Sequence, residues 1–95
     1  GPSQSQPVGG CMDVRMVPQP VGRGDTFRVE LNAERAWTGK LRITDVSGRT
    51  LDARALDLPP ANGALHLTAP PQSGIYFLEF TGDSGYGKVI KLVVR

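Results

Sequence analysis

Thr26-Phe27-Arg28-Val29-Glu30-Leu31-Asn32 alternates apolar and polar side chains without a break. A period of two is the mark of a strand with one buried face. It places Phe27, Val29 and Leu31 on one side and Arg28 and Glu30 on the other. Leu41-Arg42-Ile43-Thr44 repeats the alternation, and no segment carries a convincing 3.6-residue period or a helix cap. The chain therefore has to build its core from strands.

The punctuation between the apolar runs fixes their number. Val46-Ser47-Gly48-Arg49 supplies a tight turn, because Gly48 accepts the positive φ such turns need, so residues 50–56 run back antiparallel to residues 41–44 as a hairpin. Residues 58–63 read as a loop: Pro59 and Pro60 lack a ladder donor, and Asn62-Gly63 favours a turn. A short strand over 64–68 follows, then a break at Ala69-Pro70-Pro71-Gln72-Ser73-Gly74. Ile75-Tyr76-Phe77-Leu78-Glu79-Phe80 is the most β-prone run. Gly82-Asp83-Ser84-Gly85 joins it to a last strand over 86–94. With residues 12–17 this makes about seven short strands spaced by roughly 8–12 residues, the pattern of an all-β, immunoglobulin-like antiparallel sandwich. Residues 33–37 are the one place where a helical turn is tolerable. Tyr76, entering a late strand after Pro70, Pro71 and Gly74, resembles the tyrosine corner of such sandwiches, whose hydroxyl bonds back to upstream backbone.

Composition sets the limits. At 95 residues there is room for one small domain but not for a deep pocket beside its core. Hydrophobic residues make up 39% and charged residues 21%, ordinary globular values that exclude a wholly disordered chain. Residues 1–11, rich in Pro, Gly, Ser and Gln, are the exception and read as a flexible linker. Gly1-Pro2-Ser3 resembles a protease-cleavage scar, and the chain reads as a piece of something longer. The net charge of +2 is spread among acids instead of concentrated on a run, which argues against nucleic acid as a partner. No stretch approaches the roughly 20 apolar residues of a membrane span. Cys11 is the single cysteine, so neither an intrachain disulfide nor a cysteine-based metal site can form; it reads as a small apolar residue near the start of a strand.

Several local motifs have functional readings that the rest of the chain does not support. Gly82-Asp83-Ser84-Gly85 looks like the nucleophile loop of a chymotrypsin-type protease, but attack by Ser84 needs a histidine base, an orienting carboxylate and an oxyanion hole. His66 is the only histidine, and the chain is too short for the double barrel that carries that loop. No other catalytic set appears, so the chain reads as non-enzymatic. A lone histidine is no metal site, and Asp13, Asp25, Asp45, Asp52, Asp57 and Asp83 fall in no calcium-loop pattern; no cofactor is implied. Arg23-Gly24-Asp25 spells an integrin-recognition tripeptide in an exposed loop, yet Gly and Asp are simply common between strands. Trp37 and Tyr86 are candidates for a sugar-binding face, against the plainer reading as packing residues.

Taken in order, four segments resemble the C-terminal sorting domain of the type IX (Por) secretion system of Bacteroidetes-type bacteria. Met16-Val17-Pro18-Gln19-Pro20 is similar to the family's opening Pro-Asn-Pro segment, with Gln19 where the family usually has Asn. Leu41-Arg42-Ile43-Thr44-Asp45-Val46-Ser47-Gly48-Arg49 is similar to its central hairpin, through Asp45, Gly48 and Arg49. Ser73-Gly74-Ile75-Tyr76-Phe77-Leu78 matches its Ser-Gly-Ile-Tyr strand. Lys88-Val89-Ile90-Lys91-Leu92-Val93-Val94 matches its Lys-rich closing strand.

The resemblance, over residues 12–95, implies a β-sandwich sorting domain: an address fused behind a cargo protein, recognised in the periplasm by shuttle proteins and the translocon, and carried across the outer membrane to the cell surface or medium. A sortase-like surface peptidase of the gingipain type would cut in the preceding linker, around Gly9, Gly10 and Cys11, and join the cargo to an anionic lipopolysaccharide. Recognition is expected at Gly74, Ile75 and Tyr76 and along Lys88, Val89, Ile90, Lys91, Leu92, Val93, Val94 and Arg95. These would form a hairpin whose outer strand presents backbone groups together with Lys88, Lys91 and Arg95. The alternative is an accessory module of an extracellular enzyme, carbohydrate-binding or fibronectin-like, anchored by Trp37.

Overall fold

The structure, a computed structural model, describes residues 12–17, 19–83, 85 and 87–95. Seven strands follow one another: β1 (Met12–Val17), β2 (Thr26–Ala33), β3 (Trp37–Asp45), β4 (Thr50–Leu58), β5 (Ala61–Thr68), β6 (Gly74–Gly82) and β7 (Gly87–Val94). They form two antiparallel sheets, one ordered β1-β2-β5 and the other β4-β3-β6-β7, as the strand spacing predicts. The chain crosses from one sheet to the other three times, at residues 34–36, at Pro59-Pro60 and at Pro70-Pro71. No helix among the described residues is long and apolar enough to cross a membrane.

Alternation decides what is buried. Phe27, Val29 and Leu31 of β2 face Leu41 and Ile43 of β3, Tyr76, Leu78 and Phe80 of β6, and Leu92 and Val94 of β7, and all are buried. Removing this apolar area from water is the main stabilising term, about 1.5–3 kcal/mol for each large side chain. The register shift between Ile43 and Thr44 places the extra residue, Leu51, on β4, while β3 keeps its register with β6. Thr44, on the face opposite Ile43, is buried all the same, with its hydroxyl donating to Glu79 Oε2 at 3.1 Å.

Three local expectations are corrected. Residues 34–36 bend between β2 and β3 without a helical turn. Asn62-Gly63 is not a turn: β5 begins at Ala61, and these residues pair with Asn32 and Leu31 of β2. The turn propensity of Asn-Gly yields because pairing with β2 satisfies its backbone groups and extends the ladder. For the same reason β4 runs on to Leu58, past the expected end at Leu56.

Trp37 is buried, which removes it as a sugar platform. It occupies a notch made by two glycines that are distant in sequence. A Cβ on Gly39 would stand 2.8 Å from Trp37 Cη2, and one on Gly82 would stand 2.9 Å from Trp37 Nε1. Phe80 meets the indole edge-on, with ring centroids 6.4 Å apart. Tyr86 lies outside the described residues.

Candidate recognition surface

The four segments singled out in the sequence meet at one end of the sandwich. Asp45 pairs with Tyr76, Gly74 pairs with Val94, and Val21, just after Pro20, forms a parallel bridge with Val94. Pro18 and the linker residues Gly9, Gly10 and Cys11 lie outside the described residues.

Asp45 organises its turn by itself. Its Oδ1 accepts from the Ser47 hydroxyl at 2.6 Å and from the amides of Ser47 and Arg49, each at 3.0 Å, while Arg49 Nε lies 3.2 Å from Oδ2. The Ser47 hydroxyl first, then the two amides and the Arg49 charge, hold the carboxyl below its ordinary range. Gly48 takes a φ of 89°, a conformation in which a Cβ is strained. The Asp-Gly-Arg portion of the resemblance is thus a self-contained hairpin turn.

On the next strand the tyrosine corner is present: Tyr76 Oη donates to the Gln72 carbonyl at 2.8 Å. The bond ties β6 to the residue 70–73 loop, which is also fixed by Gly24 N–H donating to the Pro70 carbonyl at 3.2 Å. The Arg23-Gly24-Asp25 tripeptide sits in that exposed turn, where Asp25 N–H donates to the Gly22 carbonyl at 3.1 Å.

Between the two devices lies an open groove of about 390 Å³, lined by Val46, Leu51, Pro70, Pro71, Ile75 and Arg49 among others. Val46, Leu51 and Ile75 are 73%, 41% and 42% exposed. Large apolar side chains left in water together, rimmed by polar groups, mark an interaction surface more often than scattered ones do. Ile75 and Val46 were legible in the sequence as parts of motifs and Leu51 was not; their meeting was legible for none of them, because only the β3–β4 hairpin brings Val46 and Leu51 to the Ile75 side.

The closing strand departs from the expected picture in two ways. Lys88 pairs with Phe80 and Lys91 with Phe77, so Lys88 lies on the inner face and Lys91 on the outer face of the sheet. They form no single basic edge. The outer edge of β7 is also occupied over its second half. The Gln19 side-chain amide donates to the Lys91 carbonyl at 2.8 Å and accepts from the Val93 amide at 3.0 Å. Val21 N–H donates to the Val93 carbonyl, and Arg95 N–H donates to the Val21 carbonyl, both at 2.9 Å. Leu92 and Val94 are core residues. The contiguous recognition strand from Lys88 to Arg95 is therefore divided between core, capped edge and open edge.

Elsewhere the candidates separate. His66 is exposed on β5, opposite Arg28, and among the described residues no three of His, Cys, Asp or Glu converge. Ser84 lies outside the described residues; its neighbours close the β6–β7 hairpin through Gly85 N–H donating to the Gly82 carbonyl at 2.9 Å.

No protein-family profile and no curated protein matches the sequence. Among solved structures, the CARDB domain of a Pyrococcus furiosus protein, determined in complex with di-metal ions, aligns over 93% of this chain and 90% of its own, with a TM-score of 0.55 at 17% identity. A β-glucosidase from Listeria innocua, determined in complex with glucose, aligns over 90% of this chain with a TM-score of 0.50 at 11% identity, and this chain spans 16% of that enzyme. At such identities the likeness concerns fold. The chain is a small immunoglobulin-like β-sandwich module.

Proposed function

We propose that this module is the C-terminal sorting domain of a cargo protein exported through type IX secretion, with the groove at the Asp45–Tyr76 end as the surface read by the shuttle proteins and translocon. One observation carries the reading. The segments that resemble the family are bonded to one another across up to 74 positions of sequence, at one end of the sandwich, and leave an exposed apolar groove there. A set of motifs that met only in the core would need no function beyond folding. In this reading the domain passes through the periplasm to the cell surface or medium, and a sortase-like peptidase cuts in the preceding linker.

The competing reading, an accessory module of an extracellular enzyme, draws on the CARDB-like fold but loses its anchor with the burial of Trp37. Export decides between them. The full chain is fused behind a folded reporter with a periplasmic signal, in a host with type IX secretion. The reporter is expected at the surface or in the medium, and Val46→Asp with Ile75→Asp is expected to trap it in the periplasm while the domain stays folded. A wild-type fusion retained in the periplasm, or a folded double variant exported as well as wild type, overturns the proposal.

A further inference from the structure

Backbone groups of an edge strand point alternately toward the sheet and away from it. The bonds made by Gln19 and Val21 identify residues 91, 93 and 95 as facing outward, so the groups of Val89 and the amide of Lys91 face outward as well. Among the described residues nothing pairs with them. The open stretch ends at the Lys91 carbonyl, where the Gln19 amide takes the place of a neighbouring strand.

The side chains along this stretch are ordered. On the inner face stand Lys88 and the half-buried Ile90; on the outer face stand Val89, 62% exposed, and Lys91. Each face thus offers one cation and one apolar group, with the cations at the two ends. The nearest outer-face acid, Glu79 opposite Val89, is already bonded by Arg42 at 2.6 Å and by Thr44. Among the described residues neither lysine has an ion-pair partner.

Edge lysines discourage indiscriminate strand pairing, because a neutral or basic strand would desolvate them without compensation. A strand bearing acids at matching positions supplies that compensation, since cross-strand neighbours lie within about 5.5 Å. We propose that residues 88–91 are a strand-addition site for an extended segment of a partner protein reading acidic, apolar, apolar, acidic. Lys-Val-Ile-Lys has the same charge pattern in both directions, so the complement serves a parallel or an antiparallel partner alike. Gln19 is the stop that limits the site to a short segment.

The probe is the peptide acetyl-Thr-Glu-Val-Val-Glu-Thr-amide, titrated into the ¹⁵N-labelled full chain at low salt. The Val89 and Lys91 amides are expected to shift saturably and gain exchange protection, and the peptide with Lys in place of Glu is expected to leave them unmoved. Val89→Pro should abolish binding while keeping the β6–β7 pairing, because that amide points away from β6 and proline is tolerated at such a position. For a peptide two residues longer, Gln19→Ala should tighten binding roughly fivefold, by freeing the Lys91 carbonyl and Val93 amide for backbone bonds. Absence of shifts in β7, or equal binding of the Lys peptide, overturns the site; absence of a gain in Gln19→Ala overturns the stop. Peptide binding and reporter export are separate readouts, so this site and the sorting role can fail independently.

Discussion

Gln19 and Lys91 are 72 positions apart in sequence, and the side-chain amide of one does for the other what a strand would do. Nε2 donates to the Lys91 carbonyl at 2.8 Å while Oε1 accepts from the next outward amide, that of Val93, at 3.0 Å. An amide side chain carries a donor and an acceptor in the geometry of a peptide group, so it can close a ladder without contributing backbone. Gln19→Ala is expected to cost about 1 kcal/mol in chemical denaturation and to accelerate hydrogen exchange at Val93 more than at Leu92. Gln19→Asn, one methylene shorter, should lose at least one of the two bonds; unchanged exchange at Val93 in both variants would show the clamp to be idle.

Gly39 is fixed by close approach. A Cβ there would stand 2.8 Å from both Gly82 Cα and Trp37 Cη2, closer than packed atoms tolerate, and the obstruction includes backbone that cannot swing aside. Gly39→Ala should destabilise the domain by more than 2 kcal/mol, of the order seen for overpacked cores. Urea unfolding measures it, and a loss below about 0.5 kcal/mol would mean that the notch relaxes.

Tyr76→Phe removes only the hydroxyl that donates to the Gln72 carbonyl. The ring stays packed, so the expected cost is about 1 kcal/mol, with NMR shifts concentrated in residues 70–74. A variant as stable as wild type would make the corner dispensable for folding.

Three carboxylates are held below their ordinary range: Glu79 chiefly by the Arg42 hydrogen bond, Glu30 chiefly by the Arg15 hydrogen bond, and Asp45 chiefly by the Ser47 hydroxyl. A group whose pKa is lower in the folded state stabilises the fold above its unfolded pKa and loses that contribution as pH falls through the folded value. Stability should therefore be flat near neutrality and decline from about pH 4 downward. Glu79→Gln should lower the neutral-pH Tm and make the acid decline shallower; an acid limb as steep as that of wild type would place the effect elsewhere.

Trp37 is 3% exposed, so its fluorescence should be blue-shifted, poorly quenched by acrylamide and unchanged by added polysaccharide. Strong quenching in the folded protein would contradict the packing against Gly39 and Gly82.

Period-two alternation was enough to place Phe27, Val29, Leu31, Leu41 and Ile43 on buried faces, and turn chemistry was enough to separate the strands and to mark Gly48 as a turn. These are local properties: each depends on a residue and its near neighbours, and the solvent-facing or core-facing choice follows from the pleat. The same alternation already held the opposite facing of Lys88 and Lys91, three positions apart on one strand. What only the tertiary structure decided was the identity of neighbours across space. Asn62-Gly63 became strand because β2 offered it a partner. Trp37 turned inward because glycines from β3 and β6 left a notch of its size. Gln19 closed the edge of β7, and Val46, Leu51 and Ile75 met in one groove, because strand pairing joins segments whose sequence separation no local propensity records.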